Sequence, residues 1–217
     1  SIAATNASNG GTIGANKSFL MWGNNNAPLT STNTNTIVCS TEKQLDRVWK
    51  VVETGSIGST QIAITRSTVS GFNIDAVLNT AGANKILKIA DDASFTQNVK
   101  TIPLTIASIN GVSHYVANFD FDGTKYFTYA ESNGIFWNGD ANAWSGGAGA
   151  NNAPSALTAD AAKVLVIDSE TSLTNAILTS SVEVGCLWVK ANSVLVVNNN
   201  TYISFSGQLI LDGEIRL

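Results

Sequence analysis

The chain has 217 residues, a formal net charge of −4 and a pI near 4.9, with 44% hydrophobic and only 13% charged residues. That apolar share supports a packed core and excludes wholesale disorder. The twelve Lys and Arg residues are scattered, which excludes the concentrated basic footprint of a nucleic-acid binder. No apolar run reaches the ~18 residues of a membrane span.

Asn, Ser, Thr and Gly replace the missing charge, with 24 asparagines among them. These side chains favour turns and exposed strand faces over helix interiors. Residues 1–36 form a Gly/Asn/Thr-rich segment around one apolar knot, from which a single strand is expected over Phe19 to Trp22. The N-terminus has no basic and apolar leader pattern.

From residue 37 to 130 the spacing predicts an antiparallel, Ig-like β-sandwich. TEKQLDRVWKVVETG alternates in its second half, with Val48, Lys50 and Val52 on one face and Trp49, Val51 and Glu53 on the other. A short helix over Ser40 to Arg47 is the weaker alternative. Further period-2 runs cover Gln61–Arg66, Lys85–Asp92, Lys100–Ile109, His114–Phe121 and Lys125–Glu131. Thr54-Gly55, Ala81-Gly82, Asn110-Gly111 and Asp122-Gly123 punctuate them as hairpin signals.

Residues 131–162 read as a loop-like connection pinned by Phe136, Trp137 and Trp144. After it come short β runs broken by small polar residues: Val164–Ile167, Val182–Val189, Val194–Val197, Tyr202–Phe205 and Gln208–Leu211. Residues 163–217 are therefore expected to begin a β-solenoid-like region, with Asn198–Asn200 as a corner; a second β-sandwich is the alternative. The alternation persists up to Leu217, as expected of a piece of a larger protein.

Cys39 and Cys186 fall in different expected domains and are read as buried free thiols. With one histidine, the chain lacks the ligands of a zinc site.

No catalytic constellation is found, and the chain is expected not to be an enzyme. His114 sits on a strand beside a turn, where a polar residue is ordinary, and no GxSxG elbow accompanies it. Asp91-Asp92 and Asp120/Asp122 are acidic pairs. Turn capping explains both, while Asp120 and Asp122 are also weak Ca²⁺ candidates. A glycosidase would need one of them to face another acid across a cleft. Gly10 to Gly14 lacks the spacing and following helix of a nucleotide site. Trp49 and Trp188 are expected to fill cores. Trp137 and Trp144, with Asn138 and Asp140, are the candidate ligand-binding residues, since aromatic faces beside amide and carboxylate groups suit sugars. Arg47 and Lys50 are expected to pair with Asp46 or Glu53 on the surface.

SFLMWGNNNA, LDRVWKVVETGSIGS and DGTKYFTYAE, between Gly14 and Ala130, together resemble a domain of Bacteroidota surface proteins exported by the type IX secretion system. These proteins often carry lectin-like jelly-roll modules and are linked to adhesion and gliding. The resemblance implies an extracellular structural or adhesive module, with other domains of the same polypeptide, surface glycans or the secretion machinery as partners and no catalytic residues. The C-terminal sorting domain of such proteins is not among these residues and is expected beyond Leu217. The alternative is a carbohydrate-binding module appended to a secreted enzyme. No cofactor is expected apart from Ca²⁺.

Overall fold

The computed structural model describes residues 18–37, 40–66, 72–137, 144–168 and 175–217. These residues are almost wholly β and divide into two compact units. Gly10 to Gly14, Cys39, Asn138 and Asp140 lie outside the described residues.

The first unit takes in residues 1–33, 43–80 and 85–131. Its strands, in chain order with those reaching its edges, are β1 (Phe19–Asn24), β2 (Asn33–Ile37), β3 (Ser40–Gln44), β4 (Trp49–Thr54), β5 (Thr60–Thr65), β6 (Asn84–Ala90), β7 (Lys100–Pro103), β8 (Thr105–Ile109), β9 (Val112–Phe119) and β10 (Thr124–Ser132). One short helix, α1 (Ile74–Val77), follows the Asn73 side chain, which accepts the Asp75 N–H at its start. In one layer, β4 pairs antiparallel with β1 and β10, and β6 with β7. In the other, β9 pairs antiparallel with β5 and β8. In β4 Lys50 is exposed and Val51 is buried, in keeping with the expected faces. Ser40–Gln44 is a strand, so tertiary pairing overrides the weak helical alternative.

The sandwich core gathers Leu45, Val51, Ile62, Leu87, Phe121 and Phe127. Each such side chain, fully buried, contributes about 1.5–3 kcal/mol. Trp49 stacks on Phe127 at 5.3 Å and meets Tyr129 edge-on at 5.6 Å. Asn110 and Gly111, both at positive φ (51° and 78°), close the β8–β9 hairpin between Ile109 and Val112. That backbone is the reason for the Asn-Gly pair.

The second unit takes in residues 34–42, 81–84 and 132–217. It adds β11 (Ile135–Trp137), β12 (Trp144–Ser145), β13 (Val164–Ile167), β14 (Ala176–Leu178), β15 (Val182–Val184), β16 (Cys186–Val189), β17 (Val194–Val197), β18 (Ile203–Phe205), β19 (Leu209–Leu211) and β20 (Glu214–Arg216). Three parallel ladders run through it: β11-β13-β16-β19, β14-β17-β20 and β15-β18. The chain visits the three in turn and returns to the first one strand further on, which is a parallel β-solenoid. Its ladders set side chains in in-register columns, including Ile135–Leu165–Leu187–Leu209 and Leu178–Val197.

Several features differ from the sequence reading, among them β2 (Asn33–Ile37), a second strand reaching into the segment where one strand was expected, formed because β3 pairs with it. The stretch expected as a connection contributes β11 to the first ladder, because its three residues are held by pairing with distant β13. The expected strand Val182–Val189 breaks at Gly185 into two ladders. A Cβ there would lie 3.0–3.1 Å from the Ala162 and Lys163 backbone, a tight approach that favours glycine at the corner. Trp188 is half-exposed rather than core: its Nε1–H donates to Asp212 at 3.0 Å, and Lys190 lies 5.2 Å from its ring.

The expectation of free thiols is overturned. Cys186 is fully buried and disulfide-bonded.

Candidate ligand-binding site

Trp137 and Trp144 face each other across the antiparallel β11–β12 pair, ring centroids 4.8 Å apart and planes at 52°. Trp137 is 4% exposed and part of the solenoid core, and its Nε1–H is buried with no hydrogen-bond partner. Trp144 is half-buried against that core. Together they wall a cavity of about 640 Å³, whose polar lining includes Asn151, Ser155, Asn175 and Thr179. No ionisable side chain is among its described lining residues. Such a cavity suits a neutral ligand that offers both hydroxyls and an apolar face. It provides no acid–base pair for hydrolysis within those residues.

One wall of the cavity is formed by residues 149–156, and Asp160 organises it. Asp160 is fully buried. Its carboxylate accepts the Ala148 N–H at 3.0 and 3.1 Å, the Ser155 N–H at 2.9 Å and the Ser155 hydroxyl at 2.8 Å, and pairs with Lys163 at 3.0 Å. Burial alone would raise the Asp160 pKa. The bonds from Ala148 and Ser155 and the Lys163 charge outweigh it and hold the group below the ordinary carboxylate value. The loop turns through Asn151 and Asn152, at φ 54° and 57°. Sequence reasoning did not single out Asp160. An Asp three residues before a Lys in an Ala-rich stretch carries no signal of a buried hub.

A second, shallower groove of about 500 Å³ lies on the sandwich, lined by Met21, Trp22, Asn24, Lys50, Val52 and Tyr126. The β1–β4–β10 register sets Met21 opposite Val52 and Lys50 opposite Tyr126. Lys50 Nζ lies 5.8 Å from the Tyr126 ring, and Trp22 is 61% exposed. The expected surface pairing of Lys50 and Arg47 with acids is replaced. Arg47 Nε–H donates to the Ala27 carbonyl at 2.7 Å, while Asp46 accepts from Thr30 and Thr32.

The acidic pairs separate into two cases. Asp92 accepts the N–H groups of Ser94, Thr96 and Gln97, and Asp91 binds Asn98 and Lys125, so both are turn-organising residues. Asp120 and Asp122 meet a third acid, Glu53, with carboxylate oxygens within 4.8 Å of one another. That is a compact cluster of three acids. His114 lies on β9 between Thr65 and Ala107, its Nδ1 2.9 Å from the Val112 carbonyl oxygen, remote in register from either acidic pair.

Among the described residues no helix is long and apolar enough to cross a membrane. Comparison with known protein families finds one described as a domain of unknown function (DUF8202), matched over residues 1–125. That span includes the acidic cluster and the sandwich groove apart from Tyr126, and stops short of Trp137 and Trp144. No curated protein matches, and no solved structure does.

Proposed function

The chain belongs to the DUF8202 family, and we propose that it serves as a structural and adhesive module of an exported bacterial surface protein. The observation that carries this reading is the buried disulfide at Cys186. Structural disulfides persist in oxidising, extracytoplasmic compartments and are rare in reducing cytosol. A parallel solenoid adds rungs in one direction and so suits a rigid spacer. The LDRVWKV-type resemblance supports export through the type IX system. The test is fractionation of the source cells with maleimide labelling of the native polypeptide. Surface location with thiols that react only after reduction is the expected result. A cytosolic protein with freely reacting thiols would refute the proposal.

The Trp-walled cavity favours a second reading, carbohydrate binding. Aromatic surface beside neutral amides and hydroxyls recognises sugars by stacking and hydrogen bonding, without charge. A panel of neutral oligosaccharides titrated against tryptophan fluorescence tests it. A saturable change that disappears in Trp144→Ala supports this reading, and a flat response across the panel rejects it.

A further inference from the structure

We propose that Glu53, Asp120 and Asp122 form a calcium-binding site on the sandwich unit. This goes beyond the surface-module reading and stands or falls independently of it. The β4–β10 register pairs Val52 with Thr124, and the Glu53 N–H donates to the Gly123 carbonyl at 2.8 Å. Glu53 is thereby fixed beside the turn that carries Asp120 and Asp122. Gly123, at φ +69°, allows that turn to be tight. One carboxylate oxygen from each acid lies within 4.8 Å of the others, a spacing that a single cation with ~2.3–2.6 Å oxygen contacts can bridge.

Clustering of acids alone would be ordinary for a surface. The second observation is the state of the Glu53 carboxylate. Glu53 is a half-buried residue of β4 whose carboxylate is enclosed; its Oε1 accepts the Ile57 N–H at 2.7 Å, and its Oε2 has no hydrogen-bond partner. None of the three acids forms an ion pair with a lysine or arginine among the described residues. A buried carboxylate oxygen is normally satisfied by a donor or a cation, and this one is left unsatisfied beside two further negative charges. The donors are all hard oxygens, with no His or Cys in the group. That set selects Ca²⁺ over zinc and the softer metals. Two exposed aspartates leave room for water to complete a coordination number of six to eight.

The experiment is calorimetric titration of the chelator-stripped 217-residue protein with CaCl₂, with MgCl₂ in parallel. One Ca²⁺ per chain is expected, with a Kd on the order of 10⁻⁴–10⁻³ M, the range of extracellular modules. Asp120→Asn combined with Asp122→Asn, and separately Glu53→Gln, should each weaken binding at least about tenfold. Without metal, Glu53→Gln should melt at or above the wild-type temperature, because the amide keeps the Ile57 bond and removes a buried charge. A merely structural carboxylate would instead lose stability on this change. Absence of Ca²⁺ binding, unchanged affinity in the variants, or Mg²⁺ binding as tight as Ca²⁺ would overturn the proposal.

Discussion

Leu165 and Leu187 are register partners on adjacent parallel strands of the solenoid, and neither is exposed to solvent. Leu209 continues the same column on the last strand of the ladder but is 44% exposed. The column therefore changes from core to surface over one rung. Leu187→Ala should cost about 2–5 kcal/mol, since it empties a site packed from both neighbouring rungs. Leu209→Ala should cost about 1 kcal/mol or less, because much of its apolar surface already meets water. Urea denaturation of both variants checks the ordering.

Asp160 provides a pH-dependent test. Its folded-state pKa lies below the unfolded value of 3.8. The ionised group therefore contributes stability that is fully present above that value and is lost as pH falls through the folded pKa. Asp160→Asn should destabilise the protein by about 1–3 kcal/mol at neutral pH, because the amide cannot accept as many bonds from Ala148, Ser155 and Lys163. It should also flatten the acid limb of the stability–pH curve below about pH 4. Melting temperatures from neutral pH down to about pH 3 measure both effects.

The all-β class, the sandwich and the solenoid were legible because period-2 runs and Asn/Gly corners are local signals. The asparagine excess has a visible use: of the eight non-glycine residues at positive φ among those described, seven are Asn. What was not legible depends on non-local pairing. β11, β14 and β20 are three-residue strands held by parallel neighbours, too short to show a period. Likewise the D-x-D-G turn was visible but Glu53 was not linked to it, because only the β4–β10 pairing brings them together. Trp137 and Trp144 were both named as candidates from the sequence, and their rings lie 4.8 Å apart. Which of the two is core and which faces the cavity could be read only from burial.

That difference between the tryptophans leads to opposite expectations. Trp137→Ala removes a nearly buried ring from the solenoid core and should cost about 3–5 kcal/mol. Trp144→Ala truncates a half-buried ring on the cavity wall and should cost less, while removing most of the stacking surface open to a ligand. Thermal melts beside fluorescence titrations separate the two. A Trp144→Ala variant that unfolds as readily as Trp137→Ala would show that both rings serve packing alone.

The disulfide at Cys186 can be tested without any ligand. Cys186 is fully buried, and its Sγ accepts the Gln208 N–H at 3.0 Å, so the bond sits where one rung of the solenoid meets the next. Cross-linking the chain restricts the unfolded ensemble, and losing a native disulfide typically costs about 2–5 kcal/mol. Cys186→Ala should therefore lower the melting temperature by several degrees, and reductant should lower wild type toward the variant. Addition of reductant to Cys186→Ala itself should change nothing. If reductant destabilises wild type and variant equally, the effect lies outside the disulfide. If it affects neither, the bond contributes little and the oxidising-compartment argument loses its main support.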